Sequence, residues 1–185
     1  MPSNVAENDD DAVVNCIEQR ASQFQGHIPT TNFETLQVIK FLSSGCHRWC
    51  YRYNDSGQFR VHFDWLPNTV PSFQHSGNRA TSFFVYLQVD CQGGETVFPK
   101  VERPKSESWC TILNCRNEMG LEVPWLEVKP KVGTTLFWYN IHTGGDVDMN
   151  TLHAGAPVLN GTKIGLNIWT RERSWRDLWR FHCKF

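Results

Sequence analysis

With 185 residues, 19 acidic and 18 basic, the chain has a formal charge of −1, so no excess of positive charge draws it to nucleic acid or to an anionic bilayer. Apolar residues make up 40% and charged residues 20%, a globular balance, and the length suits one domain around one core. No apolar run reaches the roughly 18 residues of a spanning helix, and the opening MPSNVAENDDDAVV lacks the basic, apolar and small-residue order of a secretory signal. No membrane partner is evident, and without a targeting signal the endoplasmic reticulum lumen and the cytoplasm both stay open.

In chain order, residues 1–10 are polar and acidic and read as a flexible end, followed by a single domain over 11–185. From Asp11, DAVVNCIEQRASQF spaces Val13, Ile17, Ala21 and Phe24 three to four apart, with acidic residues to cap its start, which predicts an amphipathic helix. The signals then change to short β-rich runs parted by Gly, Pro, Asn and Asp: LQVIKF, FRVHFDW, SFFVYLQV, ETVFP, EVKP, TTLFWYN and KIGLNIWT. Seven strand candidates in one domain predict a mainly β sandwich or jelly roll. Near the end, Ser174 and Asp177 stand in capping-box spacing ahead of Leu178 and Phe181, predicting a short C-terminal helical turn.

Seven cysteines are an odd number, so at least one thiol stays unpaired in a monomer. Cys46 with Cys50, and Cys110 with Cys115, are near enough in sequence to bridge. A zinc site from Cys46, His47 and Cys50 is the competing reading, although no second ligand pair repeats their spacing. Acceptor patterns for N-glycosylation begin at Asn54 and Asn160.

The stretch VHFDW places His62 and Asp64 on one face of a strand, opposite Val61, Phe63 and Trp65. A solvated outer face would carry such a pair without consequence. Turned inward, Asp64 needs a cation or a metal, because burying an unpaired carboxylate costs several kcal/mol. Far along the chain, TLHAGAP holds His153 at a strand end flanked by Gly and Pro. Two imidazoles and one carboxylate make a facial triad with positions left open, which suits non-haem Fe(II). In TKIGLNIWT, Lys163, Gly165, Asn167 and Trp169 share a face opposite Ile164, Leu166 and Ile168. Asn160-Gly161 has the form of a two-residue hairpin turn, and pairing about it puts His153 and Lys163 on opposite faces. Both face inward only if Pro157 breaks that pairing and the chain crosses to the facing sheet.

Taken in order, LQVIKF, GQFRVHFDW, NRATSFFVYLQVDCQGGETVFP, VKPKVGTTLFWYN and TLHAGAPVLNGTKIGLNIWTRE resemble the Fe(II)- and 2-oxoglutarate-dependent dioxygenases, within them the prolyl 4-hydroxylase-like branch. The resemblance covers about residues 36–172 and implies a double-stranded β-helix, or jelly roll. It implies His62, Asp64 and His153 as ligands of Fe(II), and Lys163 as partner of the distal carboxylate of 2-oxoglutarate. Tyr86 is similar to the family tyrosine that supports that carboxylate, and Trp169 to an aromatic wall of the site. A second family tyrosine, upstream of the HxD pair, matches Tyr53 by spacing while Phe41 fits the strand pattern. The implied chemistry uses O2 and oxidatively decarboxylates 2-oxoglutarate to succinate and CO2 while substrate is hydroxylated, with ascorbate as a reductant. Gly93 and Gly94 are expected to serve a turn of positive φ or a close backbone approach.

Two departures accompany the resemblance. Only the helix precedes LQVIKF where relatives have more, and LSSGCHRWCYRYNDS reads as an insertion before the HxD strand. The segment 67–78 is expected to line the pocket entrance. The favoured substrate is a prolyl or related residue in a peptide or protein. The alternatives are a small metabolite, or an inactive jelly roll that binds a peptide or protein. His27, His47, His75, His142 and His182 receive no role.

Overall fold

The computed structural model describes residues 3–4, 11–43 and 59–176. The predicted helix is α1, Ala12–Phe24, and Asp11 caps it by accepting hydrogen bonds from the backbone N–H groups of Val13 at 2.8 Å and Val14 at 3.2 Å. Its buried stripe is turned by one residue from the predicted one. Val14, Glu18 and Ala21 face inward, while Val13 and Phe24 are about two-thirds exposed. The apolar count missed Glu18 because a carboxylate can lie on a buried face when it is paired, here with Arg176.

Among the described residues, nine strands build two antiparallel sheets. The first has the order β1 (Ser3–Asn4), β2 (Gln37–Leu42), β9 (Val158–Arg171), β4 (Arg79–Gly93), β7 (Thr135–Tyr139). The second has the order β3 (Phe59–His62), β8 (His153–Gly155), β5 (Thr96–Glu102), β6 (Trp125–Val128). The architecture is the expected mainly β jelly roll. The pair Ser3–Asn4 lies within the segment read as flexible and adds its backbone beside Val38 and Gln37.

The strand period of two sorts β4 and β9 between two cores. Phe83, Leu166 and Ile168 point outward, where α1 covers them with Val14 and Ala21. Phe84 and Tyr86 point between the sheets, onto Phe41, Val128 and Val158. Because α1 lies over one face and the second sheet over the other, both faces of β9 are buried, and Lys163 is fully buried on the inner one.

Asn160 and Gly161 make no hairpin turn. Strand β4 is 15 residues long and offers Asp90, Cys91 and Gln92 as partners to Thr162, Gly161 and Asn160, so β9 runs straight through the dipeptide. Gly161 has φ +83°, and a Cβ there would lie 1.9 Å from the Asp90 carbonyl oxygen. The crossing expected at Pro157 does occur: β8 belongs to the second sheet and β9 to the first.

Segment 67–78 forms a short helix, α2 (Pro71–Ser76), rather than an entrance wall. It is tied to the end of β9, where an Arg171 N–H donates to the Gly77 carbonyl at 2.9 Å, and none of its residues lines the central cavity. Cys110 and Cys115 form a disulfide, and Cys16 and Cys91 are free thiols. The Cys46, His47 and Cys50 cluster, Tyr53, Asn54, and the helical turn from Asp177 onward lie outside the described residues. Among the described residues, no helix is long and apolar enough to cross a membrane.

Candidate metal centre

Strand β3 ends at His62, so the period of two places that residue alone; Asp64 follows in a bend. His153 opens β8 and is the Cα partner of His62 across the antiparallel pair, which sets the two rings side by side, tilted by 53°, with centroids 4.2 Å apart. The three ligand atoms of His62, Asp64 and His153 lie within 4.8 Å of one another. His62 Nε2 stands 3.6 Å from Asp64 Oδ1, and His153 Nε2 stands 3.9 Å from Asp64 Oδ2.

The tautomers follow from the backbone. His62 Nδ1 is 2.8 Å from the Arg60 carbonyl oxygen and His153 Nδ1 is 2.8 Å from that of Thr151. A carbonyl only accepts, so each Nδ1 carries a proton and each Nε2 is the ring atom that faces Asp64 and is left to hold a metal when unprotonated. Second partners of this kind are what hold metal-ligating imidazoles in place. The side chain of His153 is packed further by Trp138, at 4.9 Å between centroids, and by Phe98, at 5.5 Å.

Asp64 is only 4% exposed. Burial pushes its carboxyl up, but the neighbouring His62, the charges of His153 and Arg79, and the Ser82 hydroxyl together outweigh burial and hold it well below the usual carboxylate range. Burial also lowers the His153 imidazole, helped by His62 and opposed by Asp64, which favours the neutral ligand form. An ionised carboxylate and two imidazoles anchored through Nδ1, with their Nε2 atoms and the Asp64 oxygens converging on a small volume, fit a divalent cation such as Fe(II).

The triad lines one cavity of about 470 Å³ together with Lys163, Thr96, Trp138, Asn167, Trp169 and Arg79. That volume lies in the ordinary range for a small-molecule site. The Lys163 ammonium donates to the Gly94 carbonyl at 2.5 Å and sits 4.2 Å from the centroid of Phe41, its Cα partner on β2. Gly94 has φ +80°, and a Cβ there would come within 3.3 Å of the lysine stem. The glycine expected to serve a close backbone approach thus also holds the ammonium. Burial lowers Lys163 to about 8, against the opposing pull of Cys91 and Glu95. Among the described residues no carboxylate stands within ion-pair distance of it.

Tyr86 is fully buried beneath this end of the cavity. Its hydroxyl shares a 2.6 Å hydrogen bond with Thr96 Oγ1, and it is Thr96 that lines the cavity. Burial pushes the phenol up, so it stays protonated. Thr96 was missed in the sequence, where a threonine in a strand carries no signal of its own. Trp169 forms a wall, with the Arg79 guanidinium 3.7 Å from its ring centroid. Arg79 was missed too, and its charge is fixed by Glu34, which accepts from it at 2.7 and 2.8 Å and from Arg171 at 2.5 Å.

Comparison with known proteins agrees with this geometry. The model of the 2OG-Fe(II) oxygenase superfamily matches residues 48–171. Prolyl 4-hydroxylase subunit alpha-2 of Gallus gallus is 33% identical over 172 residues, covering 92% of this chain and 26% of that subunit. Probable prolyl 4-hydroxylase 4 of Arabidopsis thaliana is 29% identical over 163 residues, covering 86% of this chain and 48% of that protein. The chain therefore spans about a quarter to a half of the length of these curated relatives. Among solved structures, the 2OG complex of a viral collagen prolyl hydroxylase from Paramecium Bursaria Chlorella virus-1 aligns with a TM-score of 0.56 at 24% identity, over 86% of this chain and 72% of that one. Likeness at that identity speaks for the fold.

Proposed function

The chain belongs to the 2OG-Fe(II) oxygenase superfamily, whose cofactor is Fe(II) and whose co-substrates are 2-oxoglutarate and O2, and from that membership we propose that it hydroxylates a prolyl residue in a peptide or protein. His62, Asp64 and His153 are the metal ligands in this reading. When bound, the iron with its co-substrates supplies the oxidising power for inserting oxygen into a C–H bond.

The protein's own part is binding and orientation. Lys163 receives the distal carboxylate of 2-oxoglutarate, with the Thr96 hydroxyl on the same wall and Tyr86 holding Thr96 from behind. The observation that carries the reading is a fully buried ammonium, facing the same cavity as the triad, with no carboxylate to answer it among the described residues. Such a group is costly until a fixed anion arrives. Farther along the same face of β9, Trp169 lines the cavity, and its indole N–H is buried without a partner. An apolar ring with an adjoining peptide carbonyl suits that wall, and the names of the relatives point to the same substrate class.

The test is succinate formation from 2-oxoglutarate with Fe(II), ascorbate as reductant, and a panel of proline-rich peptides beside free amino acids and small metabolites. Peptide-dependent succinate together with a 16 Da gain on a prolyl residue is expected. Turnover only with small metabolites would replace the substrate class. Metal and co-substrate binding without turnover on any peptide would favour an inactive binding module.

A further inference from the structure

Beside Asp64, three polar side chains stand in a row that begins at Oδ2, the oxygen 3.9 Å from His153 Nε2, and leaves Oδ1, 3.6 Å from His62 Nε2, outside the row. Ser82 Oγ lies 2.6 Å from Asp64 Oδ2, Asn140 Nδ2 lies 2.9 Å from Ser82 Oγ, and Trp138 Nε1 lies 2.9 Å from Asn140 Oδ1. Ser82 and Asn140 are both fully buried. Ser82 sits on β4 with Trp138 as its Cα partner on β7, so strand pairing sets the row.

The direction of every hydrogen bond is determined. An indole N–H only donates, so it fixes Asn140 with its oxygen toward Trp138 and its NH2 toward Ser82. The amide then donates to Ser82 Oγ, and the serine proton has one acceptor left, Asp64 Oδ2. A carboxylate accepting from a hydroxyl at 2.6 Å is a short, charge-assisted bond. The flipped amide would set donor against donor at Trp138 and take the serine proton away from Asp64.

We propose that Trp138, Asn140 and Ser82 form a one-way chain of positioning residues that occupies one oxygen of Asp64 and so presents this carboxylate to iron through its other oxygen. The inference rests on reading His62, Asp64 and His153 as the iron ligands. Its consequence lies in the open positions of the triad. If both oxygens bound the metal, the carboxylate would fill a position that the co-substrate requires. Trp138 also lines the cavity and packs against His153, so the far end of the chain touches the space where substrate binds.

The experiment titrates Fe(II) anaerobically into the full chain, alone and with 2-oxoglutarate, following metal affinity and the visible charge-transfer band of the co-substrate complex. Ser82→Ala is expected to weaken Fe(II) binding by about 10- to 100-fold, the usual effect of removing a partner of a metal ligand, and to shift or weaken the band. Ser82→Thr keeps the hydroxyl and is expected to restore most of the affinity. Asn140→Asp changes shape little but exchanges the amide donor for an acceptor, so the serine proton is drawn off Asp64. An added negative charge would by itself tighten cation binding, so weaker binding in this variant reports the hydrogen bond rather than the charge. Trp138→Phe, which removes the indole N–H together with part of the ring packed on His153, covers the case where a variant at Ser82 fails to fold, and it is expected to lose affinity less than Ser82→Ala. Wild-type affinity and an unchanged band in folded Ser82→Ala, Asn140→Asp and Trp138→Phe would overturn the chain. Failure of the wild type itself to bind Fe(II) would instead overturn the assignment of the triad.

Discussion

Lys163 gives the sharpest quantitative test of the site, because the same burial that prepares it for an anion makes it a liability without one. The ammonium is lowered from 10.5 to about 8, first by burial. If 2-oxoglutarate binds only the charged form, its apparent Kd grows with the neutral fraction of the free protein. From pH 7 to pH 9 that is a weakening of about 10-fold, whereas a lysine at its ordinary value would give almost none. Stability follows the opposite course. Below pH 8 the folded and unfolded states both hold the proton, and the fold bears the full cost of the buried charge. Between 8 and 10.5 the unfolded chain binds more protons, so stability rises with pH; above 10.5 the cost is gone. The difference corresponds to about 3 kcal/mol. Lys163→Met is therefore expected to raise the stability of the ligand-free protein at pH 7 by up to about 3 kcal/mol, less the lost hydrogen bond to Gly94 of about 1 to 2 kcal/mol, while abolishing co-substrate binding. Calorimetric titration of 2-oxoglutarate into protein loaded with redox-inert Ni(II), at half-unit steps of pH, measures the first effect, with Lys163→Arg as the control that stays charged. Urea unfolding measures the second. A Kd that stays flat to pH 9, or a Lys163→Met protein that is less stable yet still binds the keto acid, would refute the reasoning.

Three other perturbations probe the supports of the cavity. Glu34 is held between the guanidinium groups of Arg79 and Arg171, so Glu34→Gln leaves two cations without their counter-charge; a loss of about 3 to 5 kcal/mol is expected in urea unfolding. Gly94→Ala forces a side chain into φ +80° and brings a methyl against the stem of Lys163; the expected result is weaker 2-oxoglutarate binding with Fe(II) affinity unchanged, read by titration of each. Replacing Cys110 and Cys115 together by serine opens a short loop far from the triad in sequence, so stability falls by about 2 kcal/mol while the rate of succinate formation, measured on the same preparations, stays at the wild-type level.

Much of the fold was legible because burial in a sandwich repeats every second residue, and that period survives in LQVIKF, SFFVYLQV and KIGLNIWT whatever the neighbours are. The start of α1 was legible from Asp11, a side chain that satisfies two helix N–H groups by itself. What failed was local chemistry overruled by partners distant in sequence. Asn160-Gly161 has the composition of a turn, but an isolated dipeptide carries no record of the 15-residue strand beside it that keeps β9 extended. The buried stripe of α1 was misplaced by one residue for the same reason, since Glu18 is buried with a charged partner, Arg176, more than 150 residues away.

The site shows the same division more sharply. His62 and Asp64 were found together from the argument that both lie on one face of a strand, yet the strand stops at His62 and that argument does not place Asp64. A bend following β3, and a hydrogen bond to Ser82 of β4, place it instead. The HxD spacing is therefore compatible with a metal centre without being sufficient to make one. The further supports are Ser82, inside the apolar strand β4, and Asn140, in the bend that follows β7. No periodicity marks those two residues, because they are buried polar groups that satisfy each other, and the pairing that joins them exists only once the sheet has formed. The same holds for Thr96, silent in ETVFP until Tyr86 of the facing sheet is set against it. Charged and imidazole groups announce a site in the sequence because burying them is costly; the neutral groups that orient them cost little once paired, and so become visible only in the fold.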